Sequence, residues 1–158
     1  MYNLSITGLR FFTVYRWGRP DIALMIFANA IFKGEPIKVF NNGDMQRDFT
    51  YINDIVEGVV RCITTLPIKQ PKAKVFNIGN SKPVDLMEFI IIMETCLGKK
   101  ATKNFLPMQE GDVKMTYADT THLKQSIKYN PLTPLKKGII EFTNWFYNYT
   151  KIINDTEI

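Results

Sequence analysis

Three polar clusters interrupt an otherwise apolar chain: "RWGRPD" (16–21), "GDMQRD" (43–48) and "MQEGDV" (108–113). The first two hold arginines, whose planar fork of N–H donors suits the bidentate grip of a phosphate or carboxylate. The third closes on Gly111-Asp112, where a carboxylate can accept hydrogen bonds from sugar hydroxyls. Any one of these arginines, taken alone, reads as half of a surface ion pair. Three such clusters between buried segments also fit a site for an anionic ligand, because loops at strand ends carry ligands in α/β folds.

Other chemistries have less to build on. His122 is the only histidine, so a histidine-based metal cluster or a Ser-His-Asp triad lacks its parts, and a surface histidine is expected. No G-x-G-x-x-G or P-loop spacing occurs. Tyr147 and Lys151 have Y-x-x-x-K spacing but sit on an aromatic terminal segment with no cofactor loop upstream, and read as coincidence. Cys62 and Cys96 lie in helical stretches without metal-ligand spacing and read as small buried hydrophobes of a reducing compartment. The formal charge of +5 is spread along the chain, with no long basic run, so nucleic acid is not expected as a partner. No membrane partner is expected either: "FIIIM" is too short to span a bilayer, no signal-like apolar core follows Met1, and the expected location is cytoplasmic.

At 158 residues and 46% apolar content, the chain suits one globular unit. "LSITGLRFFTVY" (4–15) predicts a buried strand. Asp21 is expected to cap a mostly buried helix over "IALMIFANAIFK" that stops at Gly34. A short strand "PIKVF" and a turn "NNGD" with residues suited to positive φ come next. A helix from about Asp54 is expected to bury Ile55, Val56, Val59, Val60 and Ile63 and to end at "TTLP". "AKVFNIG" predicts a second buried strand, and "DLMEFIIIMETCLG" a helix with Asp85 and Glu88 spaced as a capping box and Gly98 as its stop. "TKNFLPM" suits an edge strand, "THLKQSIK" a short helix, and the segment after Thr133 a last helix with Pro134 in its first turn. The tail 150–158 is expected to be frayed. Alternating strands and helices predict an α/β layer fold.

With these motifs in place, the chain resembles the C-terminal half of UDP-glucuronate 4-epimerases, which are extended short-chain dehydrogenase/reductases. The resemblance rests on "GLRFFTVY", "GRPD", "VFNNGDMQRDFTYINDIVEGVVR", "FNIGNSKPVDLMEFI", "LPMQEGDVKMTYAD" and "FTNWFY", in order over essentially all the chain. It implies the C-terminal portion of a Rossmann-type fold with its small substrate-binding subdomain, 1–158 forming one substrate-binding unit and the N-terminal NAD-binding half absent. It further implies a UDP-sugar ligand, with Thr13 facing the sugar and Arg19 beside the sugar or diphosphate. Phe40 would pack on the uracil and the Lys38 backbone read its edge. Arg47 would pair with the diphosphate and Asp112 hold the ribose hydroxyls, while Gln109 stands where relatives carry a phosphate-binding arginine. Phe11 would lie near the nicotinamide of NAD. Bland alternatives remain: Phe11 and Phe40 as core, Thr13 as a strand hydroxyl, Asp48 in a structural hydrogen bond and Asp54 as a helix cap.

In the family, a tyrosine removes the sugar 4-OH proton, NAD accepts the C4 hydride, and the keto intermediate turns over before reduction. The glycine loop and the catalytic Tyr-x-x-x-Lys are not in this sequence, so the resemblance implies no catalytic residue here, no NAD held by this chain alone, and activity only with a complementary N-terminal half. The alternative is a non-catalytic remnant that pairs with an intact epimerase subunit. The sequence also departs from the family's "VYGPWGRPD": Arg16 replaces Gly-Pro, and Asn53 stands where aspartate is preferred. Strands built to lie beside absent neighbours would expose apolar edges, so a marginally stable, aggregation-prone or partner-dependent chain is expected.

Overall fold

The structure is a computed structural model that describes residues 5–65 and 73–156, with side chains to residue 151. In chain order it contains β1 (Thr7–Phe11), β2 (Thr13–Tyr15), α1 (Ala23–Lys33), β3 (Ile37–Val39), β4 (Gln46–Tyr51), α2 (Ile52–Thr65), β5 (Lys74–Ile78), β6 (Pro83–Asp85), α3 (Leu86–Leu97), β7 (Lys103–Phe105), α4 (Thr121–Ile127) and α5 (Leu135–Thr156). Three small sheets result. β1 runs parallel to β5, β3 parallel to β7, and β4 lies between parallel β2 and antiparallel β6. This is the α/β arrangement expected from the alternation of elements. No described helix is long and apolar enough to cross a membrane.

The large core gathers α1, α3 and α5 around β4. Leu24, Phe27, Ala28 and Ile31 of α1, Phe89, Ile90 and Met93 of α3, and Ile139, Phe142 and Phe146 of α5 are buried at helical spacing against Tyr15, Phe49 and Tyr51. Phe49 stacks on Phe89 with centroids 4.6 Å apart. A smaller core joins α2 and α4 to β5 through Ile55, Cys62, Phe76, Ile78, Leu123, Ile127 and Tyr129.

Several local expectations change. The 4–15 segment is two strands broken at Phe12, and β1 is not buried: Ile6 and Phe11 are half-exposed, as is Val75 opposite. β1 pairs only with β5 among the described strands, which leaves its other edge open. α2 follows β4 with no intervening loop, so Arg47 stands in a strand rather than at a helix entrance. The helix buries Asp54, Ile55, Gly58 and Cys62, while Val56, Val60 and Ile63 face outward. Gly58 decides this rotation, since a Cβ there would lie 2.5 Å from Ile78 Cδ1. The helix is described to Thr65, and the Leu66 and Pro67 of the expected "TTLP" stop lie outside the described residues.

The anticipated caps are mostly engaged elsewhere. Asp21 makes no cap to α1 and instead accepts from Arg19. Asp85 makes no side-chain cap to α3 and accepts from Gln46 Nε2 at 2.8 Å. Asp54, the third residue of α2, accepts from the backbone N–H (3.2 Å) and hydroxyl (3.1 Å) of Thr133, joining the starts of α2 and α5. The helix stops hold: Gly34 and Gly98 are left-handed, at φ 76 and 62. The "NNGD" turn places Asn41, Asn42 and Gly43 at positive φ. Tyr147 donates its hydroxyl to the Leu97 carbonyl at 2.7 Å, a structural use consistent with its reading as a decoy. His122 is exposed, as expected.

Two buried carboxylates tie separate segments together. Asp48, fully buried, accepts from the N–H groups of Asn80 (3.1 Å), Ser81 (3.0 Å) and Ala118 (2.9 Å), the structural role anticipated for it. Glu94, with a side chain 3% exposed, accepts from Lys103 Nζ, the Ala101 N–H and Lys100 Nζ, fastening α3 to β7. Burial pushes the Glu94 carboxyl up, but the hydrogen bonds from Lys103, Ala101 and Lys100 outweigh it and hold the group at about 2, below its ordinary 4.5. A lowered acid pKa contributes stability that is present above the ordinary value and is lost as pH falls towards the folded one. Denaturant melts of the wild type should therefore lose stability between about pH 4.5 and 2. Glu94→Gln should cost roughly 3 kcal/mol at neutral pH and flatten that acid limb.

Candidate functional site

Side chains alternate across a strand, so β4 presents Asp48 to one face and Arg47 and Phe49 to the other. Arg47 and Phe49 face a cavity of about 920 Å³. The far wall comes from α1 and the residues before it: Pro20, Asp21, Ile22, Ile26, Phe27 and Asn29. β3 and its turn add Ile37, Lys38 and Phe40, β2 adds Thr13, and the 108–115 loop adds Gln109 and Asp112. The lining is chiefly apolar with a few charged groups, as small-molecule sites commonly are.

Six candidates from the sequence thus meet in one cavity: Thr13, Lys38, Phe40, Arg47, Gln109 and Asp112. Two do not line it. Arg19 is turned outward onto Asp21, with Nε to Oδ1 at 2.9 Å and Nη2 to Oδ2 at 2.5 Å, and Phe11 lies half-exposed on the open β1 strand. Asn29 and Glu35 were missed, although Asn29 is a polar break in the apolar run "MIFANAIF" and a legible signal.

Arg47 is the hub of the site. Its Nη1 donates to the carbonyls of Gln46 (2.8 Å) and Lys114 (3.2 Å), and its Nη2 donates to Asp112 Oδ1 at 2.7 Å. Asp112 Oδ1 also accepts from the Val113 N–H at 2.8 Å. The base of this loop is zipped to β4, with Gln46 N–H donating to Lys114 O, Thr116 N–H to Gln46 O, and the Thr116 hydroxyl meeting the Asp48 N–H. Arg47 and Asp112 are therefore held side by side at the cavity edge, the arginine side chain 21% exposed and the carboxylate 34%. Arg19 holds the Asp21 carboxyl down at about 2, chiefly by a side-chain hydrogen bond.

Chemically, the cavity can clamp an anion with Arg47, pack a flat ring on Phe40 and bond hydroxyls at Thr13 and Asp112. None of its lining side chains is a histidine or cysteine. Among the described residues, no group of three His, Cys, Asp or Glu is placed to hold a metal ion. Phe11 lies outside the cavity, and the sequence holds no glycine-rich phosphate loop. Lysine's compact ammonium lacks the spread of the guanidinium fork, whose two Nη atoms reach the carbonyls and Asp112 separately. Arg47→Lys should therefore free the loop at Gly111, read as faster limited proteolysis within 108–115 with the helical CD signal unchanged.

Residues 1–79, half the chain, match the model of the NAD dependent epimerase/dehydratase family. An uncharacterised protein of Methanocaldococcus jannaschii is 49% identical over 147 residues, covering 92% of this chain and 44% of that protein. A probable UDP-glucuronate 4-epimerase of Rhizobium meliloti is 38% identical over 168 residues, covering 96% of this chain and 49% of its own length. The UDP-glucuronic acid 4-epimerase of Bacillus cereus, solved with UDP-glucuronic acid and NAD, superposes with a TM-score of 0.81 at 32% identity, over 89% of this chain and 45% of that one. The chain spans about half the length of the curated relatives it matches. Its Rossmann-type elements, its motifs and these likenesses agree: the chain belongs to the NAD-dependent epimerase/dehydratase family.

Proposed function

We propose that this chain is the UDP-sugar-binding, carboxy-terminal half of a nucleotide-sugar 4-epimerase, with UDP-glucuronate or UDP-galacturonate as its ligand. The convergence of Arg47, Asp112, Lys38, Phe40 and Thr13 on one cavity carries the reading. Arg47 grips the diphosphate, and Asp112 accepts from the ribose hydroxyls. The Phe40 ring packs on uracil while the Lys38 backbone reads its edge, and Thr13 meets the sugar. Gln109 donates its amide to a phosphate oxygen, more weakly than an arginine would. Arg19 serves the same end from outside the wall, by holding Asp21.

Hydride transfer belongs to NAD, and the groups that hold NAD and take the sugar proton belong to a complementary amino-terminal half. The open β1 edge, with Phe11 and Val75 half-exposed, supports such a partner, since parallel strands are ordinarily covered on both faces. The same surface supports a second reading, a non-catalytic chain that docks on an epimerase subunit. Calorimetric titration with UDP-glucuronate separates the two. Binding that Arg47→Ala weakens at least tenfold supports the proposal, and no binding at millimolar ligand favours the second reading. Mixing with the amino-terminal half of a relative should then yield NAD-dependent 4-epimerisation that neither half shows alone.

A further inference from the structure

We propose that Arg16 is a positioning residue that sets the wall of the cavity formed by residues 20–22, acting through Trp17 and Asn53; its ligand consequence rests on the UDP-sugar reading above. The 16–22 segment links β2 to α1 and supplies Pro20, Asp21 and Ile22 to the cavity. Its last residue, Ile22, is tied to α1 through the Met25 and Ile26 N–H groups, but the stretch before it contains Gly18 at φ +85 and is bonded, among the described residues, through a turn from the Ile22 N–H to the Arg19 carbonyl and the exposed Arg19–Asp21 pair. Neither of these fastens residues 17–21 to the body of the protein.

Arg16 does. Its guanidinium carbon lies 3.3 Å from the Trp17 ring centroid, and its Nη1 donates to Asn53 Oδ1, at 3.3 Å, on the first turn of α2. Trp17 stacks in turn on Trp145 of α5 (6.0 Å, 20°), and Trp145 on Tyr149 (4.8 Å, 17°). The guanidinium thus begins a stacked column that pins the loop to α5 while a hydrogen bond pins it to α2. Arg16 Nε is buried with no hydrogen-bond partner among the described residues, so the group is held by stacking and one directed bond rather than by solvent. Arg16 and Asn53, noted above as unusual for the resemblance, touch here, and Asn53 supplies a neutral acceptor.

The nucleotide end of the cavity is assigned to β3, β4 and the 108–115 loop, which lie outside the 16–22 segment. Losing the clamp should therefore weaken recognition of the sugar and spare that of the nucleotide. Trp17 and Trp145 are the chain's only two tryptophans, so intrinsic emission reports on the column alone.

The test compares Arg16→Ala, Arg16→Lys, Asn53→Ala, Asn53→Asp and the double variant R16A/N53A, by tryptophan emission and by titration with UDP and UDP-glucuronate. Arg16→Ala, Arg16→Lys and Asn53→Ala should each shift the emission to the red, with no further shift in the double variant. Asn53→Asp retains the acceptor and should behave as wild type. UDP-glucuronate should bind roughly tenfold more weakly to the first three, with UDP affinity held within about twofold. Unchanged emission, additive shifts, or equal loss of both ligands would overturn the proposal. If the wild type binds neither ligand, the UDP-sugar reading falls, and the emission series still decides whether Arg16 and Asn53 act as one clamp.

Discussion

The buried carboxylate of Asp48 is the constraint on which the arrangement depends. A carboxylate removed from water is tolerated only where donors replace its hydration, and three backbone N–H groups do so from two remote segments, the turn at Asn80–Ser81 and the strand-like stretch at Ala118. Ser81 adopts φ +57 to deliver its N–H, and Gly79 is pressed so close to Ala118 that a Cβ would lie 2.5 Å from that side chain. Because alternation places Arg47 on the opposite face, clamping Asp48 also aims Arg47 into the cavity. The backbone N–H of Asp48 donates to the Thr116 hydroxyl as well, holding the base of the 108–115 loop whose Asp112 meets Arg47.

Asp54 and Glu94 repeat this logic. Asp54 collects the N–H and hydroxyl of Thr133, and Glu94 collects two lysines and the Ala101 N–H. Asp54 joins elements far apart in sequence, whereas Glu94 fastens α3 to the β7 strand that follows it. β1 and β5 form a two-stranded parallel ribbon that buries Phe76 and Ile78 against α2 and α4 and leaves Phe11 and Val75 half-exposed.

Much of the fold was legible because its signals are local. The apolar spacing of 22–33 and 86–97, the glycine stops at Gly34 and Gly98, and the positive-φ turn at Asn41–Gly43 all appear where the residues predict them. The misreadings are non-local. Asp21, Asp54 and Asp85 look like caps, but Arg19, Thr133 and Gln46 compete for them. The exposed stripe Val56–Val60–Ile63 looks like a core face until Gly58 is seen to need the inward position. Asn29 and Glu35 join the site only because α1 and β3 fold over it.

By itself, the sequence determined the kinds of element, the polar clusters between them, and the motifs that mark the family, since propensity, periodicity and turn chemistry act within a few residues. Only the tertiary structure decided which clusters meet. It brought Arg47 to Asp112 across 65 positions and turned Arg19 away onto Asp21. It also joined Arg16 to Asn53 across 37 positions, making two apparently separate oddities of sequence into one contact. Those outcomes follow from competition among distant donors and acceptors for the same partners, a competition that exists only once the chain has closed on itself.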